Sequence, residues 1–147
     1  MIALLDVNVL LALFWRRHVF HENVKKWFIA NRAAGWATCP MTEAGFIRLY
    51  AQPSVMGVEL HLADACELIE RNTSSPEHTF WPQTHPVSQM TPALRSRLTG
   101  HQQLTDAILL DLAIRNGGKL VTLDKRIARL LHENSPHRDA LESIPVE

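Results

Sequence analysis

The stretch from Leu104 to Asp124 leaves this chain few folds to choose from. Between Ala107 and Ile114 every residue is apolar except Asp111, and a helix apolar on most sides is buried on most sides. Thr105 reads as its N-cap, and Asp106 as a first-turn acid favoured by the helix dipole. Gly117-Gly118 is a helix stop. Lys119–Asp124 follows at once, a short apolar run closing on a second acid. A buried helix, a tight turn and a buried strand form the second half of a βαβ unit, with a carboxylate at each end, Asp106 and Asp124.

The same grammar recurs upstream. Ile2–Leu5 is a continuous apolar run, suited to a strand covered on both faces, and Asp6 closes it before a helix opens at Val9. Trp36–Cys39 reads as a second strand stopped by Pro40, with a helix over Met41–Tyr50 that carries Glu43 in its first turn. In an open parallel sheet the carboxyl edge is where ligands bind. Asp6, Glu43, Asp106 and Asp124 all fall on that edge.

The remaining segments fill in an α/β sandwich with a mostly parallel sheet. Phe20–Ala34 is an amphipathic helix with Val24, Trp27, Phe28 and Ala30 inward. Pro53–Gly57 reads as a loop, and Val58–Arg71 as a helix with Leu60, Ala63, Cys66 or Glu67, and Ile69 on one face. Asn72–Pro76 is a turn cluster, His78–Trp81 a short strand and Gln83–Gln89 a loop. Thr91-Pro92 caps a short helix over Ala93–Leu98. Lys125–His132 is a short helix, Pro136–Ala140 a turn, and Leu141–Val146 a last strand that Pro145 assigns to an edge.

A chain of 147 residues fits one domain, residues 1–147. The formal net charge of +0 gives no global basic signal for nucleic acid, so any such contact rests on a local patch. Cys39 and Cys66 read as buried free thiols, with neither a disulfide framework nor zinc-ligand spacing around them. The apolar run after Asp6 is broken by Asn8, ends at Arg16-Arg17 and is too short to span a bilayer, so a cytoplasmic protein without a membrane segment is expected.

Taken singly, each acid is an ordinary cap or turn residue. Four carboxylates in one pocket are another matter, because like charges raise one another's pKa unless a cation is present. Mg²⁺ takes oxygen ligands, keeps several waters and suits phosphate chemistry, activating a water and stabilising a leaving oxygen.

Four stretches, in order, resemble the PIN domain, and in their separations the VapC-type toxin ribonucleases of bacterial toxin–antitoxin pairs. They are Asp6-Val7-Asn8-Val9-Leu10-Leu11-Ala12-Leu13, Thr42-Glu43-Ala44-Gly45-Phe46, Thr105-Asp106-Ala107-Ile108-Leu109 and Val121-Thr122-Leu123-Asp124. The resemblance covers essentially the whole chain. It implies a metal-dependent endoribonuclease built as a three-layer α/β/α sandwich. Asp6, Glu43, Asp106 and Asp124 match the family's acidic set. Asp6 and Asp106 become the first ligands of Mg²⁺ or Mn²⁺, Glu43 completes the pocket and helps orient water, and Asp124 is a ligand or a partner behind one. Asn8 and Thr122 become polar supports. A cognate antitoxin and a homodimer are the implied partners, with RNA as substrate.

For RNA phosphates the candidates are Arg16, Arg17, Arg48, Arg95 and His101. Trp15, Trp36 and Trp81 offer faces for base stacking, although on apolar segments they read first as core. Two other readings compete: a PIN-fold nuclease of RNA processing or of DNA, and a non-enzymatic receiver-type phosphoacceptor domain. The receiver pattern wants paired early acids and a late lysine, which fits poorly here.

Overall fold

The computed structural model describes residues 1–52 and 61–146. Its centre is a five-stranded sheet in the order β3-β2-β1-β4-β5, with every neighbouring pair parallel. The strands are β1 (Ala3–Leu5), β2 (Trp36–Thr38), β3 (His78–Phe80), β4 (Lys119–Thr122) and β5 (Leu141–Ser143). The helices are α1 (Val7–Phe14), α2 (His21–Asn31), α3 (Pro40–Tyr50), α4 (Leu62–Thr73), α5 (Pro92–Arg95) and α6 (Leu104–Arg115). The sheet is thus wholly parallel where a mostly parallel one was expected. Its order also removes the receiver reading, whose doubly wound sheet runs 2-1-3-4-5.

Side chains alternate across the strands and build two cores. Leu4, Ala37 and Leu120 pack with Leu109, Leu110 and Ala113 of α6 and Leu94 of α5. Ala3, Leu5, Trp36 and Val121 pack with Val9 and Leu10 of α1, Val24 of α2, Phe46 of α3 and Ile69 of α4. Helices therefore cover both faces, giving the α/β/α sandwich. The order runs β1, β2, β3 one way and β4, β5 the other, so the topological switch lies between β1 and β4. There the connections diverge and leave a crevice at the carboxyl ends.

The α6–β4 turn is built as its glycines suggested. The Gly117 N–H donates to the Ile114 carbonyl at 3.1 Å and the Gly118 N–H to Ala113 at 2.9 Å, a Schellman cap with Gly117 at φ 66. Gly118 lacks room for a Cβ, which would lie 2.5 Å from the Ile2 carbonyl oxygen and 2.6 Å from the Trp81 ring.

Several expectations shift. Helix α6 starts at Leu104 with Gln103 in the cap position, so Thr105 is already inside the first turn and caps nothing. Pro40 opens α3 instead of merely ending β2. Helix α2 ends at Asn31 and Arg32–Ala34 tightens into a 3₁₀ turn, with Ala30 exposed. Pro53–Gly57 and Val58–Leu60 lie outside the described residues. Helix α4 buries Ala65 and Ile69 and exposes Ala63 and Cys66, so its inward face is rotated from the expected one and Cys66 is not a buried thiol. It runs on to Thr73, past the expected turn at Asn72. Thr91 precedes α5 but sends its hydroxyl to Asp111 instead of capping, and α5 stops at Arg95. Lys125–Leu130 is 3₁₀, and β5 ends at Ser143, at the sheet edge as Pro145 suggested. Among the described residues no helix is long and apolar enough to cross a membrane.

Candidate active site

The crevice at the switch point gathers three aspartates. Asp6 ends β1 and caps α1, its Oδ1 accepting the Val7 N–H at 2.7 Å. It is only 7% exposed. Capping α1 does not use up the group, since a carboxylate oxygen has a second lone pair to offer. Its Oδ2 accepts the Thr122 hydroxyl at 2.7 Å. Thr122 Oγ1 in turn accepts Asn8 Nδ2 at 3.2 Å and the Asp124 N–H at 3.0 Å. Asn8 Oδ1 accepts the Leu123 N–H at 3.1 Å. The one hydroxyl hydrogen of Thr122 is thus committed to Asp6, and Asn8 and Thr122 are hydrogen-bonded around the Asp6 carboxylate.

Asp106, in the first turn of α6, and Asp124, after β4, line one cleft of about 180 Å³ with Gln102, Gln103, Arg126 and Arg129. Burial, then the charges of Asp6 and Asp124, push the Asp106 pKa up to about 6. Asp6 is also raised, chiefly by burial, with a push from Asp124 and against its bonds to Thr122 and Val7. Asp124 moves the other way. The Arg126 side chain, first among the causes, holds it below the usual carboxylate value, through Nε to Oδ1 at 3.0 Å and Nη2 to Oδ2 at 2.9 Å.

Glu43 stands apart. The Thr42 hydroxyl fixes the start of α3 through the Cys39 N–H at 3.0 Å, which puts Glu43 one turn from the end of β2. Its Oε2 accepts the Thr38 hydroxyl at 2.6 Å. Its charge acts on His78, and its hydrogen bond runs to the end of β2, not into the network that joins Asp6, Thr122 and Asp124. The structure therefore brings together Asp6, Asp106 and Asp124 and leaves Glu43 beside them, tied to β2.

Among the described residues no three acids or histidines converge tightly enough to ligate one ion directly. The donor set still fits a hard divalent cation. Asp6 and Asp106 are carboxylates whose charge is uncompensated by any hydrogen-bonded cation, and Mg²⁺ is commonly held by one or two carboxylates plus water.

The basic candidates divide. Arg48 lines a groove with Val7, Gly45 and Thr105, next to the site. Arg16 lines a separate cleft with His21 and Lys25, and with Arg17 follows the far end of α1, about 12 Å of helix from Asp6. Arg95 donates to the Ser88 carbonyl. His101 is exposed in the 3₁₀ turn that leads to Asp106. Arg126 and Arg129, on the cleft itself, were missed by the sequence reading; their closeness to Asp124 in the chain was the available signal. Trp36 and Trp81 are core, and Trp15 is half-buried.

The PIN domain family profile matches residues 3–132. "Ribonuclease VapC39" of Mycobacterium tuberculosis is 44% identical over 128 residues, covering 87% of this chain and 92% of the relative. "Ribonuclease VapC38" of the same organism is 40% identical over 131 residues, 89% and 91% of the two chains. "Ribonuclease VapC29" is 34% identical over 145 residues, 99% and 98%.

Proposed function

Because this chain belongs to the PIN domain family, we propose that it is an endoribonuclease of the VapC type, the toxin of a toxin–antitoxin pair. It works as one nuclease domain, in the cytoplasm, as a homodimer restrained by a cognate antitoxin. The observation that carries the reading is the set of buried or half-buried carboxylates at the switch point, Asp6 bonded to Thr122, which also binds the Asp124 backbone, and Asp106 sharing a cleft with Asp124. Asp6 and Asp106 are costly to ionise without a cation, at the place where an open parallel sheet binds ligands.

Asp6 and Asp106 would hold Mg²⁺ or Mn²⁺, with Asp124 behind them. Such an ion supplies Lewis-acid charge that makes water acidic and stabilises a departing oxygen. The chain's own residues do the rest. Thr122 and the Val7 N–H keep the Asp6 carboxylate in one rotamer. Glu43 orients the water that attacks phosphorus. The new O–P bond forms as the bond to the leaving ribose oxygen breaks, and that oxygen takes up a proton. Arg126 and Arg129 pair with phosphates along the cleft, and Arg48 with those beyond α3.

The test is cleavage of a mixed structured RNA by antitoxin-free protein, with Mg²⁺, Mn²⁺ or chelator, and as Asp6→Asn and Asp106→Asn. Cleavage that needs the ion and disappears in both variants is expected. Cleavage that survives chelator or either variant overturns the site assignment.

A further inference from the structure

Behind Glu43 lies a chain of polar groups that the acidic cluster does not use. Thr38, at the end of β2, is fully buried, and its hydroxyl touches two side chains. Glu43 Oε2 is 2.6 Å away and His78 Nε2 is 2.8 Å away. His78 comes from the next strand, forty residues on, where β2 pairs with β3 at Trp36↔His78. Its ring packs edge-on against buried Trp36, with centroids 4.7 Å apart.

A hydroxyl has one hydrogen to give. Thr38 gives that hydrogen to Glu43 Oε2, so the chain continues through Thr38 Oγ1 when the imidazole carries its own hydrogen on Nε2. The order of donation is then His78 to Thr38 to Glu43, the arrangement the tautomer of His78 decides. One oxygen of Glu43 is thereby anchored, while Oε1 makes no hydrogen bond among the described residues and stays available to the pocket. A carboxylate on the first turn of a helix has two free torsions beyond χ1, and a buried anchor on one oxygen removes that freedom.

We propose that Thr38 and His78 are positioning residues that set the orientation of Glu43 for RNA cleavage. The proposal rests on the ribonuclease reading for its functional half and on the hydrogen-bond chain alone for its structural half. Burial lowers the His78 pKa although the Glu43 charge and the Thr73 backbone oppose this, which favours the neutral ring. Outer partners of this kind change activity by about 10–100-fold when removed.

The first arm of the test needs neither metal nor RNA. Nitrogen NMR of the full-length protein reads which His78 nitrogen carries hydrogen. The expected result is Nε2–H in the parent and a move to Nδ1–H in Glu43→Ala, where the freed Thr38 hydroxyl turns to donate to Nε2. An Nδ1–H ring in the parent, or a ring indifferent to Glu43→Ala, overturns the chain. The second arm is kinetic. Thr38→Val and His78→Phe should each lower kcat about 10–100-fold at nearly unchanged KM, their double variant should lose no more than the worse single, and Thr38→Ser should restore cleavage. Parent-like kcat in Thr38→Val overturns the functional role. Should the protein cut no RNA at all, the ribonuclease reading fails while the tautomer still decides the chain.

Discussion

Arg126 closes on Asp124 through both carboxylate oxygens, two residues along the chain, and does so at the rim of the cleft that Asp106 shares. The Arg126 side chain is 77% exposed, so the pair contributes little to folding. Its effect is local: it takes up the lone pairs of the third aspartate. Substituting Arg126→Ala should leave the melting temperature unchanged and let the Asp124 pKa rise toward its ordinary value. Mn²⁺ affinity should increase while the KM for RNA rises several-fold, since a phosphate partner is lost. Calorimetric metal titration and steady-state kinetics separate the two effects; a fall in metal affinity would show that Arg126 supports the site instead of competing for it.

The raised Asp106 makes two opposite pH dependences. Its folded pKa, about 6, lies above the ordinary 3.8. The stability it contributes is therefore fully present below 3.8 and lost as pH rises through about 6. Melting of the metal-free protein should fall across that window, and Asp106→Asn should flatten the slope. Metal binding needs the ionised acid, so affinity should climb about tenfold per pH unit below that pKa and level off above it. A metal affinity independent of pH over the same range would refute the assignment of Asp106 as a ligand.

Asp111 sits in the same helix and does different work. It is 8% exposed. The Thr91 N–H and hydroxyl donate to Oδ1 at 2.8 and 2.5 Å, and Arg115 Nε to Oδ2 at 2.8 Å. Arg115 also reaches the Gln89 carbonyl. Burial raises the Asp111 pKa, but these donors together outweigh it and hold the group below its ordinary value. Removing the carboxylate strands all of them, so Asp111→Ala should cost about 2–3 kcal/mol in chemical denaturation. The variant should cut RNA at the parent's rate where it remains folded.

What could be read from the residue order was whatever the backbone period and the edge of the sheet decide. Ile2–Leu5, Trp36–Cys39 and Lys119–Asp124 are short, mainly apolar runs of strand length, and an acid after a parallel strand stands at the carboxyl edge. That is why Asp6 and Asp124 stand where they do, while Asp106 reaches the same edge from the first turn of the buried helix that packs on the sheet. The partner of Glu43 was not legible, because Thr38 and His78 meet only through strand pairing between β2 and β3. Arg126 was passed over because an Asp-Lys-Arg step looks like a solvated cap. The inward face of α4 was misplaced because Ala63, Ala65 and Cys66 are all small, and only packing of Ala65 and Ile69 against the layer beneath chooses between them. The short 3₁₀ pieces at Arg32–Ala34 and Lys125–Leu130 carry too few residues to show a period.

Gly45 sets how closely α3 approaches α1, and so where Glu43 stands. A Cβ there would lie 2.6 Å from Val7 Cγ2, and Val7 is β-branched and cannot swing aside cheaply. Gly45→Ala regains about 1 kcal/mol of helix propensity against an overpacking cost of about 1–3 kcal/mol, a net loss of about 0–2 kcal/mol that should leave the protein folded. The strain is relieved by sliding α3 outward, which carries Glu43 with it. A displacement near 1 Å at a reacting group costs on the order of a hundredfold in rate. Cleavage by Gly45→Ala should therefore drop by that order at a temperature below its melting transition, where the protein is folded. Metal binding at Asp6 and Asp106, on other elements, should persist. Full activity in this variant would mean that the α1–α3 contact does not govern Glu43.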